Sequence, residues 1–125
     1  MIRIVIGAFL IVHGLVHIAV WATPRTQKVQ AETPFDPSHS WLIGTARGFA
    51  VPMAVVVAVI LVGAGIALFT HAGLWRPLAV VGLAGSLFLD VLYFNPWLAF
   101  ITVVNAALLA GLVWWHWPSA TRVGA

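Results

Sequence analysis

Four long apolar runs separated by unequal polar gaps dominate the 125-residue chain, at residues 4–22, 49–69, 77–94 and 97–117. Each has roughly the 17–25 residues that a helix needs to cross the hydrocarbon layer of a bilayer. Four segments are too few to close a transmembrane barrel, and open strands leave backbone groups unsatisfied in lipid, so the pattern predicts helices. Residues 70–76 make a short turn containing Gly73, and Asn95-Pro96 is almost a direct reversal. Helices two, three and four are therefore expected to be antiparallel neighbours in chain order. Pro77 and Pro96 suit first helical turns. Pro52 is expected to bend the second helix or mark its true start. The predicted fold is an all-α integral membrane protein, one four-helix transmembrane bundle over residues 1–125.

The gap at residues 23–48 is different, a polar loop of 26 residues. Asp36-Pro37 ahead of Ser38-His39-Ser40-Trp41 reads as an N-cap and first turn, which predicts a short interfacial helix over 37–47. A loop this long in so small a protein suggests a lid or a recognition element. Trp21, Trp41, Trp75, Trp97, Trp114, Trp115 and Trp117 all fall at predicted span ends, the pattern of an interfacial aromatic belt. His71 and His116 read as interfacial too.

Composition agrees with the pattern. The chain is 62% hydrophobic and 7% charged, with a mean hydropathy of +1.06. Soluble domains carry about 25% charged residues, so nine Lys, Arg, Asp and Glu residues could not cover a soluble surface. The net charge of +3 comes from scattered basic residues, which excludes the concentrated basic stripe of a nucleic-acid surface. Absent cysteine excludes disulfides, thiolate metal ligands and thiol exchange by this chain. Arg3 before an apolar run resembles a signal sequence, but the run is long and no small-x-small cleavage site follows, so it reads as a retained anchor. Basic residues divide evenly, Arg3, Arg76 and Arg122 against Arg25, Lys28 and Arg47. Discounting the long loop, the expected location is a prokaryotic cytoplasmic membrane with both termini cytoplasmic. Gly7 and Gly14, Gly63 and Ala67, Gly82 and Ser86, and Ala107 and Gly111 have the spacing of close helix contacts, within the bundle or in a homo-oligomer.

The intramembrane polar residues are unevenly distributed. Measured from the end that carries the long loop, His17 lies ~7 Å inside the boundary at about 1.5 Å per residue, and His13 about one turn deeper. Asp90 and Thr102 share the level of His17, Asn105 shares that of His13, and Tyr93 sits just above. His13 and His17 face one way at i,i+4, as do Gly82, Ser86 and Asp90. Asp90 is the sharpest residue: an aspartate at the centre of a span costs about 2.5–3.5 kcal/mol on insertion scales. His17 is its expected partner, either as interhelical glue or as a proton-handling or ligand-binding centre. The candidate catalytic residues, if the chain is an enzyme, are His17 and Asp90, an acid–base pair for a lipid-soluble substrate. The candidate ligand-binding residues are His13, Tyr93, Thr102, Asn105 and His39, with His39 and Asp36 able to close over the site; Asp36 reads more simply as a helix cap. His13, His17 and Asp90 also have the make-up of a site for a single divalent metal, although the glutamate of a metalloprotease helix is missing. Haem is disfavoured, since no second helix offers a histidine at matching depth.

The first helix, with Arg3, Gly7, Phe9 and then His13-Gly14-Leu15, resembles the opening of DoxX-like proteins, small four-helix membrane proteins. The likeness covers residues 3–17 and departs at His17, where the family pattern would have a lysine. It implies an accessory membrane subunit associated with redox proteins, or a quinone-linked activity. The expectation is a small membrane protein whose His/Asp/Asn pocket binds a small apolar ligand or quinone, with a membrane protein partner. The alternative is a small enzyme, metal-assisted or not. Transport is a third reading, weakened by the lack of discontinuous helices and repeat symmetry.

Overall fold

The computed structural model describes residues 1–24, 26–32 and 34–124; Arg25, counted above, lies outside them. Four helices are long and apolar enough to cross a membrane, Ile2–Ala22, Arg47–Phe69, Trp75–Leu92 and Pro96–Val113. The chain is an all-α, four-helix bundle of integral-membrane type. The first span is α1 (Ile2–His17) continued by a single π-helical turn, Ile18–Ala22. After a short α2 (Gln27–Glu32) come β1 (His39–Ser40) and β2 (Gly44–Thr45), then α3 (Arg47–Phe69) and α4 (Trp75–Leu92). A 3-10 turn, Pro96–Leu98, leads into α5 (Ala99–Val113), and α6 (Ala120–Val123) follows it. Asn95 caps the 3-10 turn, its Oδ1 accepting from the Trp97 N–H at 2.9 Å.

The packing order is α1 on α3, α3 on α4 and α4 on α5. Backbone proximity explains the first seam. A Cβ on Gly65 would lie 2.7 Å from the Gly7 carbonyl oxygen, and one on Gly14 would lie 2.8 Å from the Ala58 carbonyl. Only hydrogen fits between these backbones, and close approach gains dispersion contacts where lipid supplies no hydrophobic drive. Gly63 and Gly111 differ: nothing stands within 4 Å of a Cβ at either, so these two make no close helix contact inside the bundle.

Several expectations need correction. Residues 37–47 form an antiparallel hairpin, His39 opposite Thr45 and Ser40 opposite Gly44, rather than an interfacial helix. Asp36 caps a local turn instead, accepting from the Ser38 N–H at 2.9 Å and from the Ser38 hydroxyl at 2.5 Å. Gly44 supplies the positive φ of 72° that the reversal needs. Pro52 does not start α3; it lies inside the helix, which begins at Arg47. α5 stops at Val113, four residues short of the expected 117; beyond it His116 takes a positive φ of 47°, and Pro118 disfavours helical backbone at Trp117. Arg76 satisfies the freed carbonyls there, donating to Leu112 at 3.2 Å, His116 at 3.1 Å and Pro118 at 2.5 Å. Trp21 and Trp75 lie at span ends as expected, but they are packed into the protein, at 2% and 3% exposed, rather than on its surface. Trp21 is held edge-on between Phe35 and Tyr93, with ring centroids 4.8 and 5.3 Å away.

Glycine substitution tests the seam. Gly65→Ala should lower unfolding stability in detergent by about 1–3 kcal/mol, the usual penalty of overpacking, while Gly63→Ala should be neutral or gain up to about 1 kcal/mol. The reverse order would remove the seam as an explanation.

Candidate functional site

The polar side chains of α1, α4 and α5 meet at one atom, the Ser86 hydroxyl oxygen. Asn105 donates one amide hydrogen to Ser86 Oγ at 2.7 Å and the other to Asp90 Oδ2 at 2.9 Å. His17 Nε2 lies 2.8 Å from the same Ser86 oxygen, and His13 Nε2 lies 3.5 Å from it. Ser86 and Asp90 stand one turn apart on α4, so the forked amide of Asn105 bridges both and fixes α5 against α4. All five residues are buried. Each polar group offsets part of the desolvation penalty of its neighbour, as it must where no water competes.

The expected His17–Asp90 pair is not formed. Among the described residues no such ion pair lies within 4.0 Å; His17 bonds instead to Ser86, a residue noted in the sequence only as part of a stripe, and Asn105 links Ser86 to Asp90. The signal that could have found it was present: Ser86 is one turn from Asp90 and shares the deeper level of His13 and Asn105. Thr102 turns its hydroxyl to the Leu98 carbonyl at 3.0 Å and lies beside the Asp90 carboxyl. Tyr93 is not in the cluster. Its hydroxyl donates to the Ala46 carbonyl at 2.8 Å, pinning the loop, and burial pushes its phenol above the ordinary value. His39 is exposed, on the rim of a separate surface cavity with Asp36 and Trp41.

The expected metal triad of His13, His17 and Asp90 is not assembled. Among the described residues no three His, Cys, Asp or Glu side chains are grouped to hold a metal. The acid–base pair is reshaped as well, since His17 and Asp90 each bond to an intermediary. Ser86 and His17 have the distance of a nucleophile–base dyad, but His17 Nδ1 has no partner where a triad would place an orienting carboxylate. Asn105 also occupies a lone pair of the Ser86 oxygen, which opposes nucleophilic attack by it.

Two cavities flank the cluster. His13, His17, Ser86 and Asp90, with Val16, Val20, Trp21, Leu98 and Ile101, line a half-open cavity of about 30 Å³. Room for a water or two is the scale of that space. One turn further from the loop, an apolar cavity of about 250 Å³ lies among Phe9, Leu10, Leu83, Val104 and Leu108, with Trp75 and Trp117 at its far end. Both belong to one furrow, walled by α1 and α5 and floored by α4. Along its α1 wall Phe9, His13, His17 and Trp21 form a ladder of rings, with centroids 5.4, 5.2 and 6.2 Å apart in succession. The polar cavity does not open towards the long loop, as the sequence had suggested; Trp21, Phe35 and Tyr93 close that end.

No family model matches the chain, and no curated protein and no solved structure is detectably similar to it.

A double-mutant cycle isolates the central bond. Ser86→Ala and Asn105→Ala should couple by about 0.6 kcal/mol in unfolding measurements, the average for interhelical hydrogen bonds in membranes, and by no more than about 1.7 kcal/mol. Strict additivity would show that the bond contributes nothing.

Proposed function

We propose that the chain is a membrane-embedded binding protein for an amphipathic, lipid-soluble molecule held in the furrow between α1 and α5. The observation that carries this reading is the end-to-end placement of the two cavities, about 250 Å³ apolar and about 30 Å³ polar, along the same three helices. Binding sites of this kind are mostly apolar, with a few polar groups that fix orientation. At the polar end His17 is 4% exposed and its Nδ1 has no hydrogen-bond partner. An engineered apolar cavity of about 150 Å³ already takes benzene, so on that scale the furrow accommodates a chain of roughly ten carbons. Val5 and Val16, on α1 beside the cavities, are 62% and 45% exposed, which supports entry sideways from the bilayer.

The DoxX-like pattern of the first helix adds a setting to this reading, an accessory subunit beside a membrane redox partner. In that setting the ligand would be a lipid-phase carrier such as a quinone. A quinone ring is larger than the polar cavity, so its binding would require α1 and α5 to move apart at Val16 and Ile101.

The furrow can be filled without touching the polar cluster. Decan-1-ol brominated at its far carbon should quench tryptophan emission saturably in lipid nanodiscs, because Trp75 and Trp117 line the apolar end. Val104→Phe should abolish the saturable component while keeping a cooperative unfolding transition. Unchanged quenching in Val104→Phe would refute the binding role.

A further inference from the structure

The furrow is closed at both ends, and the closure away from the long loop comes from chain outside the four spans. α5 stops at Val113, yet α6 packs on α1, so residues 114–119 cross the end of the furrow from one wall to the other. The crossing is fastened along its length. The Trp117 N–H donates to the Gly111 carbonyl at 2.9 Å, which keeps the start of the crossing against α5. Arg76 on α4 holds the carbonyls of Leu112, His116 and Pro118, and bonds from a charged donor are stronger than neutral ones. At the α1 side Val123 is 2% exposed, and His71 Nδ1 donates to the Gly124 carbonyl at 2.5 Å. This strap presents Trp117 and the fully buried Pro118 to the apolar cavity, beside Trp75.

We infer that Trp117 and Pro118 determine the length of ligand this furrow takes, as an end wall that admits a medium-chain apolar tail and stops a longer one. The inference rests on the binding role proposed above and adds the tail length that the site accepts. α5 lines the apolar cavity from Val104 to Leu112, about 12 Å at about 1.5 Å per residue. A tail that fills one leaflet of a bilayer needs about 15 Å, half of the hydrocarbon core. The wall thus answers a problem of any site open to lipid, which is occupation by the tails that surround it in excess. A chain of roughly ten carbons fills the cavity and ends at the wall. Each further methylene has to displace Trp117, whose backbone is held at Gly111 and flanked by the Arg76 bonds, or bend out of the furrow past Val5. Either route forfeits the contacts that a longer chain would otherwise add.

Displacement of the brominated decanol by plain primary alcohols of six to fourteen carbons tests the wall in lipid nanodiscs, with recovery of tryptophan emission as the readout. The half-displacing mole fraction should fall from six carbons to ten. At fourteen it should rise by about fivefold or more, the scale on which extra methylenes overfill a packed site. Trp117→Ala should remove that penalty and bring the fourteen-carbon alcohol level with the ten-carbon one, with Trp75 remaining as the reporter in the cavity. Trp114→Ala alters an exposed side chain outside the cavity and should keep the penalty. Fourteen carbons displacing as well as ten in the wild-type protein overturns the wall, whether or not Trp117→Ala folds. So does a penalty that persists in Trp117→Ala with a cooperative unfolding transition, or one that Trp114→Ala also loses. These results leave the binding role standing. Brominated decanol that fails to quench saturably in the wild-type protein overturns that role instead.

Discussion

One hydroxyl oxygen holds the polar interior of this protein together. Hydrocarbon offers no hydrogen bonds, so the groups that α1, α4 and α5 bring into the membrane must satisfy one another. Ser86 Oγ lies within 2.8 Å of both the Asn105 amide and His17 Nε2, and Asn105 passes a second bond to Asp90. This convergence determines more than local satisfaction. α5 is attached to α4 through the Asn105 fork, whereas α1 is attached to α3 through Gly7, Gly14 and Gly65, where backbones nearly touch. The two attachments lie on different sides of the bundle. α1 and α5 are consequently left facing each other across a gap floored by α4, and the furrow is what remains between them.

The long loop answers a second requirement of the same kind. The last four carbonyls of a helix have no intrahelical donors, and α4 ends beneath the loop. Ser40 donates its hydroxyl to the Leu92 carbonyl, and the Trp41 indole donates to Val91 at 2.7 Å. Asn95 reaches back to the Pro34 carbonyl at 3.3 Å. The hairpin thus serves as a cap for α4, and it carries Phe35 down onto Trp21. That stack seals the furrow at its loop end, so the loop is tied closed by backbone bonds rather than poised above an open mouth.

The spans were legible because hydrophobic length is a direct requirement of the bilayer, and each predicted run became a helix with its ends shifted by a few residues. The loop was not. Asp36 satisfies the side-chain chemistry of a helix cap and of a local turn equally, and the choice was made by Ser40 and Trp41 finding carbonyls on α4, residues far away in sequence. The burial of Trp21 was hidden for a related reason: a tryptophan at a span end can face outwards or plug a core, and Phe35 and Tyr93 hold this one inside. For the site, depth counting brought His13, His17, Asp90 and Asn105 to neighbouring levels, and the structure brings these four together. What depth could not supply was the direction of each side chain about its helix axis. Without it Asp90 seemed the natural partner of His17, whereas His17 bonds to the smaller Ser86 one turn away.

The distribution of polarity along the furrow also bears on what kind of protein this is. A proton or ion path across the membrane needs hydrogen-bonding groups, or water held by them, through both halves of the bilayer. Here the half beneath the loop contains the Ser86 cluster, while the other half is walled by Phe9, Leu10, Leu83, Val104 and Leu108. Water needs two to four polar partners to be held in a cavity, and this apolar lining supplies next to none. The polar groups are also closed off from the loop side by the Trp21 stack, so they face neither aqueous phase directly. A buried polar cluster one turn from an apolar slot, with Val5 and Val16 exposed beside them, is what supports the proposal of a ligand that is polar at one end and apolar along its length. The same asymmetry is the ground for proposing binding from within the bilayer rather than conduction across it.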